Sequence, residues 1–179
     1  IAQDFLINED WPHNNVKFWS PREPGGKWRW FQYDYDGSLG AWGASHTENR
    51  IDTVFSGSHQ ITDILQHLRA SPQFNRQFVN RYADLLNTTL TPSSTTGVLQ
   101  SLSDLIASEV PRHLDRWNQS THGWLGDIQE IEHFLSQRPP YVRQHLANHF
   151  GLSGVTYQLG LNVSPTNTGS IELTAHDVT

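Results

Sequence analysis

Apolar residues recur at helical spacing through the middle of the chain, from Gln60 to Phe150. In this region the spacing predicts a bundle of about five helices that packs independently of the loop at residues 10–15. Ser71 followed by Pro72 is a helix-start signal, because the serine can cap the helix and proline suits its first turn. Proline interrupts a helix interior, so Pro139-Pro140 predicts a stop. The predicted helices cover 60–70, 72–90, 98–110, 124–135 and 141–150.

A period of two residues predicts two β-hairpins, one on each side of the helical region. The first joins strands at Val16–Trp19 and Lys27–Tyr33 through the turn-rich sequence of residues 21–26. The second follows Gly154, where apolar residues alternate at 155–163 and again at 171–175. A lone hairpin is marginal in water, so we expect residues 155–179 to pack on the helices or to begin a further β module. The predicted fold class is α+β, with one domain over residues 1–154.

Two stretches at the N-terminal side have weaker patterns. Residues 1–7 are a short apolar run that fits either the end of a helix or a strand. Residues 38–59 are rich in Gly, Ser and Asn and predict a long loop, a kind of segment that is usually functional or mobile. His46 and His59 lie in this stretch without ligand spacing, so surface histidines are the favoured interpretation. Most of the tryptophans are expected to pack across strands.

Composition narrows the functional classes. The 179 residues suffice for one sizeable core, and the net charge of -6 argues against nucleic acid as a partner. Cysteine is absent, which excludes disulfides and thiolate metal sites. No stretch reaches the length of a membrane span. The chain contains no methionine and begins within an apolar run, so we expect it to be a fragment of a longer polypeptide.

Three polar residues around the first hairpin form a candidate catalytic constellation. Asp10 and Asn15 stand five residues apart in a loop, since Pro12 keeps the residue before it out of helical geometry. The hairpin then brings Asp34 back beside that loop. An Asp-x-x-x-x-Asn spacing followed by a later metal-binding aspartate is the arrangement of metal-assisted phosphoryl transfer. The alternative is that these Asp and Asn residues only form turns.

An ordered set of motifs resembles the spore-coat protein H (CotH) kinase family over residues 1–154. The loop reads Asn-x-Asp-x-x-His-Asn-Asn, the hairpin contains Gly-Lys-Trp-Arg-Trp, and Tyr-Asp-Tyr-Asp-Gly-x-x-Gly follows. Further matches are Phe-x-x-x-Phe-x-x-Arg-Tyr-Ala-Asp-Leu-Leu-Asn at 74–87 and Glu-Val-Pro-Arg-His at 109–113. Arg-Pro-Pro-Tyr-Val-Arg-Gln-His-Leu at 138–146 runs into Phe-Gly-Leu-Ser-Gly at 150–154.

The resemblance implies an atypical protein kinase with a kinase-like fold, secreted, on the cell surface or associated with spores. It implies that Asp10 is the catalytic aspartate and that Asn15 and Asp34 bind metal. Asp36 is implied as a neighbouring acidic metal residue. The implied cofactor is Mg²⁺ or Mn²⁺ with ATP, and the implied partners are a nucleotide and the Ser/Thr hydroxyl of a protein substrate.

The position of the lysines differs from that in kinases, and two other functions are alternatives to a kinase. Kinases hold the nucleotide with a glycine-rich loop and a lysine that precede the catalytic aspartate, but Lys17 and Lys27 both follow Asp10. We therefore expect the fragment alone to be inactive. The first alternative is a non-catalytic adhesion module, because the resemblance includes fungal cell-surface invasins. The second is a carbohydrate-binding module with a calcium site, in which Trp28 and Trp30 are among the stacking rings.

Overall fold

The computed structural model describes residues 1–153, 160, 162–164 and 169. This part is mostly helical and contains one two-stranded antiparallel sheet, which agrees with the predicted α+β class. The predicted hairpin over 155–179 lies outside the described residues. In chain order the elements are α1 (Ala2–Phe5), β1 (Phe18–Trp19), β2 (Arg29–Trp30), α2 (Arg50–Ser56), α3 (Gln60–Arg69), α4 (Pro72–Asn87), α5 (Pro92–Ile106), α6 (Val110–Arg116) and α7 (Thr121–Phe150).

Proline marks the start of two consecutive helices. Ser71 caps α4 by accepting from the backbone N–H of Phe74, with Pro72 in the first turn as predicted. Thr91 and Pro92 repeat the arrangement at the start of α5. The prediction that the third helix begins near residue 98 was therefore wrong, because a Thr-Pro pair is a start signal as well as a break. The prediction also missed that Val110 begins a separate helix, α6.

The prediction that Pro139-Pro140 ends a helix was wrong. Helix α7 continues through both prolines and spans 30 residues. An interior proline costs about 3 kcal/mol, since it removes a backbone hydrogen bond and crowds the preceding turn. The buried side chains on both sides of the pair offset this cost, because each large apolar side chain gains about 1.5–3 kcal/mol on burial. These residues are Phe134, Leu135, Val142 and Leu146.

The hydrophobic core unites the N-terminal segment with the helices. Phe5 of α1 is completely buried within it, and Trp11 packs against it, so the expectation that the helices pack independently of the loop at residues 10–15 was wrong. Phe78 is half-buried and packs against this core, in keeping with the predicted register of α4. The buried members are Phe5, Ile51, Val54, Phe55, Tyr82, Leu86, Leu135, Val142 and Leu146.

Helix α2 lies within residues 38–59, where a continuous loop was predicted. Asn49 caps it by accepting from the N–H of Asp52, and its apolar residues Ile51, Val54 and Phe55 face the core. His46 is half-buried and its ring contacts that of His133, while His59 is half-buried and caps α3. The interpretation of both as surface histidines was therefore wrong. None of the described helices is long and apolar enough to cross a membrane.

The predicted first hairpin is present with shorter strands. Phe18 pairs with Trp30 and Trp19 pairs with Arg29. Cross-strand ring contacts form as expected, since the Phe18 ring lies 5.5 Å from that of Trp28 and 6.3 Å from that of Trp30. These rings remain about half exposed, so the hairpin stands at the surface rather than inside the core.

Candidate functional site

Two segments meet beside the hairpin, residues 6–15 and residues 34–39. The Asn8 side-chain amide donates to the carbonyl oxygen of Asp34 over 3.1 Å. Backbone hydrogen bonds join the N–H of Glu9 to the carbonyl of Gly37 at 3.0 Å and the N–H of Leu39 to the carbonyl of Leu6 at 2.8 Å. The predicted return of the chain to the Asp10 loop is thus made through three direct contacts.

Asn8 is the buried centre of this junction. Its side chain is fully enclosed, and its oxygen accepts from the N–H of Asp10 at 3.2 Å while its nitrogen reaches Asp34. The preceding Ile7 has a φ of 51°, a left-handed conformation that a β-branched residue rarely adopts. Such strain persists only where the surroundings impose it and is concentrated at functional sites. The sequence motif contained Asn8, but its role was missed because it depends on contacts 26 residues away.

The Asp10 carboxylate is oriented by two asparagines of its own loop. The Asn15 amide donates to Oδ2 at 3.1 Å, and the Asn14 amide lies 3.5 Å from Oδ1. The backbone N–H of Asn14 also donates to the Asp10 carbonyl at 2.7 Å. Asp10 is half-buried, so the residue remains partly accessible to solvent. A fixed and accessible carboxylate of this kind can accept a proton from a hydroxyl group.

Asn15 joins Asp10 to Asp34. Its amide nitrogen lies 3.1 Å from Asp10 Oδ2 and 3.4 Å from the Asp34 carbonyl oxygen. Both Asn15 and Asp34 have φ values of 58°, and Asn and Asp tolerate this left-handed conformation better than other residues with a side chain. The sequence therefore suits the sharp backbone turns that bring the three residues together.

The acidic side chains of the site affect one another. Loss of solvation and the neighbouring carboxylates of Asp36 and Asp10 raise the pKa of Asp34. The positive charge of Lys17 acts in the opposite direction and lowers this pKa. Asp36 also accepts from the N–H of Gly37 at 2.9 Å, so its carboxylate is fixed beside that of Asp34. Clustered carboxylates that repel one another are stabilised by a bound cation.

The donor set fits a magnesium or manganese ion that shares its coordination with phosphate. Among the residues that the structure describes, no group of three or more Asp, Glu, His or Cys side chains could hold a metal by itself. Mg²⁺ commonly binds one or two carboxylates and completes its shell with water and substrate phosphates. Asp34 supplies such a carboxylate, with the Asn15 amide and the Asp36 carboxylate beside it.

Arg50 holds the loop that carries Asp10. Its Nη2 donates to the carbonyl oxygens of Asn8 at 2.9 Å and Trp11 at 2.6 Å, so one guanidinium group spans the residues flanking Asp10. Its Nη1 lies 3.7 Å from Glu48. The role of Arg50 was not predicted, because residues 38–59 were expected to form a loop. The helix-cap signal at Asn49 and the apolar spacing after Arg50 could have located the helix, but not the contact.

A buried polar network lies beneath the site. Arg138 of α7 is completely buried and donates to four backbone carbonyls, of which two belong to Asp4 and Phe5 at 3.1 Å. The other two belong to His46 and Glu48 at 2.9 and 2.7 Å. The Tyr82 hydroxyl donates to the Asp4 carboxyl group, whose pKa is raised by burial. This network fixes α1 and hence the start of the site.

Comparison with known protein families identifies a match over most of the chain. The family model described as CotH kinase protein matches residues 1–142. The matched region contains Asp10, Asn15, Asp34 and Asp36. No curated protein and no solved structure matches the chain.

Proposed function

The chain belongs to the CotH kinase family, and from this premise we propose that its site takes part in metal-dependent transfer of phosphate from a nucleotide to a protein Ser/Thr hydroxyl. The main support for the proposal is the position of the Asn15 side-chain amide, which contacts both the Asp10 carboxylate and the Asp34 backbone carbonyl. Phosphoryl transfer depends mainly on positioning and on electrostatic stabilisation, and it needs an aspartate for the hydroxyl beside residues that hold a metal.

Each site residue has a distinct role in this proposal. Asp10 accepts or orients the proton of the attacking hydroxyl, and Asn14 and Asn15 keep its carboxylate in place. Asn15 and Asp34 would hold Mg²⁺ or Mn²⁺, with Asp36 as the neighbouring acid. The metal, when bound, supplies charge neutralisation at the phosphate oxygens. The kinase-like fold and a location outside the cell or on a spore are further parts of the proposal.

The proposal is tested by locating Mn²⁺ on the chain in the presence of ATP. Paramagnetic Mn²⁺ broadens the NMR signals of nearby nuclei, so we expect selective loss of the side-chain amide signals of Asn15. Asp34→Ala should abolish this loss, whereas the control Asp127→Ala, which changes an exposed residue of α7, should not. Broadening centred elsewhere, or unchanged in Asp34→Ala, would contradict the proposal.

Carbohydrate binding is a second candidate that a specific observation favours. Trp28 is 61% exposed and Trp30 is 48% exposed on the same hairpin, and solvent-facing rings suit sugar stacking. The two functions are separable by titration. Oligosaccharides should shift the Trp28 and Trp30 indole signals if the hairpin binds sugar, whereas the phosphotransferase proposal places the ligand at Asn15.

A further inference from the structure

We propose that Lys17 is a phosphate-binding residue of this site and that its ammonium group contacts the phosphate oxygens of the nucleotide. The inference rests on the proposed function. Phosphotransferases commonly bind the nucleotide phosphates through a lysine, and the inference assigns that role to Lys17. In kinases that lysine precedes the catalytic aspartate, whereas here the lysine nearest to the site follows it on the hairpin.

The hairpin places Lys17 between the two segments that carry the candidate metal residues. Lys17 lies two residues after Asn15, and its carbonyl oxygen accepts from the N–H of Phe31 at 2.9 Å across the hairpin. Its ammonium nitrogen lies 4.6 Å from the centre of the Tyr33 ring. Tyr33 directly precedes Asp34, so this contact fixes the ammonium group on the side of the hairpin where Asp34 emerges.

The Lys17 ammonium group is available to a ligand. Its side chain is exposed, and none of the ion pairs among the described residues includes it. A cation–π contact is electrostatic and leaves the N–H donors of the ammonium able to bond elsewhere. Three donors on a compact point charge are the groups with which lysine binds phosphate.

Two arginines near the site are already engaged. The Nη2 group of Arg50 donates to two loop carbonyls, and Arg138 is enclosed in the core. A mostly apolar cavity of about 250 Å³ adjoins Asn15, and its walls include Asp4 but no lysine or arginine. A polyphosphate therefore finds no lysine or arginine side chain in that cavity and is better placed on the side of Lys17.

Charge balance supports the same assignment. A nucleotide brings several negative charges to a site that already holds Asp10, Asp34 and Asp36. A positive side chain beside these carboxylates reduces the repulsion that the phosphates meet there.

The test is the affinity of the full-length protein for the Mn²⁺–ATP complex and for Mn²⁺ alone, both measured by water-proton relaxation. Lys17→Ala should weaken Mn²⁺–ATP binding about tenfold, because a hydrogen bond to a charged group is worth at least that factor. The variant should bind Mn²⁺ alone at least as tightly as the wild type, because it has lost a positive charge at the site, and Lys17→Arg should restore most of the nucleotide affinity. Lys27→Ala is the matched control, since Lys27 is the other lysine of the same hairpin.

The outcomes separate this inference from the proposed function. If Mn²⁺–ATP binding requires Asp34 but Lys17→Ala binds as tightly as the wild type, the Lys17 assignment is wrong and the proposed function stands. If Lys17→Ala and Lys27→Ala weaken binding equally, the effect is general electrostatics and the assignment is also wrong. If the wild type does not bind Mn²⁺–ATP, or binds it independently of Asp34, both proposals fail.

Discussion

The side-chain amide of Asn8 donates to the backbone carbonyl of Asp34 at 3.1 Å, which joins two positions 26 residues apart. The same side chain accepts from the N–H of Asp10. One buried carboxamide therefore sets the distance between the candidate proton acceptor and the candidate metal residue. It does so through backbone groups and therefore occupies neither the Asp10 nor the Asp34 carboxylate.

We expect Asn8→Ala to lower the free energy of unfolding by about 1–3 kcal/mol, the cost of leaving buried polar partners without a hydrogen bond. It should also lower Mn²⁺–ATP affinity, because Asp34 is no longer held beside Asp10. Chemical denaturation and relaxation titration measure the two effects. Asn14→Ala is the control for stability, since Asn14 is exposed and its side-chain contact with Asp10 is long at 3.5 Å. Equal stability losses in both variants would contradict the account.

Arg50→Lys should loosen the Asp10 loop while α2 remains folded. Lysine keeps the charge but lacks the planar group with which Arg50 contacts the carbonyls of Asn8 and Trp11. Hydrogen–deuterium exchange should therefore increase over residues 8–15. Arg112→Lys, at an arginine whose side chain is 88% exposed, should leave that exchange unchanged. Unaltered protection of the loop in Arg50→Lys would show that Arg50 does not hold it.

Tyr82→Phe tests the buried network below the site. The change removes the hydroxyl that donates to Asp4 and leaves a buried carboxyl group with one partner fewer. We expect a loss of about 1–3 kcal/mol in the free energy of unfolding. Tyr141→Phe, at a half-buried tyrosine of α7, is the matched control and should cost less. A Tyr82→Phe variant as stable as the wild type would exclude a stabilising role for this hydrogen bond.

The pKa of Asp34 gives a prediction with a defined sign. Loss of solvation and the carboxylates of Asp36 and Asp10 raise this pKa above its ordinary value of 3.8. The folded state therefore holds the proton more tightly than the unfolded state. The resulting stabilisation is fully present below pH 3.8 and is lost as the pH rises through the raised pKa.

Asp36→Asn should move the Asp34 pKa back towards 3.8, because it removes the nearest negative charge. A carboxyl ¹³C NMR titration of Asp34 in both proteins measures the change. Asp127→Asn, on the exposed surface of α7, should not alter the titration. An Asp34 pKa that does not fall in Asp36→Asn would show that the two carboxylates do not interact.

The local features of the site could be predicted from the sequence. Asp10 and Asn15 share a loop, and the turn-rich stretch before Lys27 predicts the hairpin that returns the chain to Asp34. These features depend on short spacings and on the conformational preferences of Pro, Gly, Asn and Asp, which act within a few residues. The family resemblance, now confirmed over residues 1–142, rests on the same local motifs.

Features that depend on tertiary contacts were missed. Nothing near Asn8, Arg50 or Arg138 in the chain indicates which carbonyl groups they bind, because their partners lie 26 to 134 residues away. Helix α7 continues through Pro139 because burial of the flanking side chains outweighs a local penalty. The local sequence indicates that an interior proline destabilises a helix, but it does not show that burial of the flanking side chains compensates for this loss.

Phosphate transfer by the full-length protein tests the central claim most directly. The measurement is transfer of radiolabelled γ-phosphate from ATP to a Ser-rich acceptor with Mg²⁺ or Mn²⁺. The account predicts transfer by the wild type and by Asp127→Asn. It predicts none by Asp34→Ala, and transfer slowed about 10²–10⁴-fold in Asp10→Asn with nucleotide binding retained. A wild type that is inert with both metals, or an Asp34→Ala variant as active as the wild type, would contradict it.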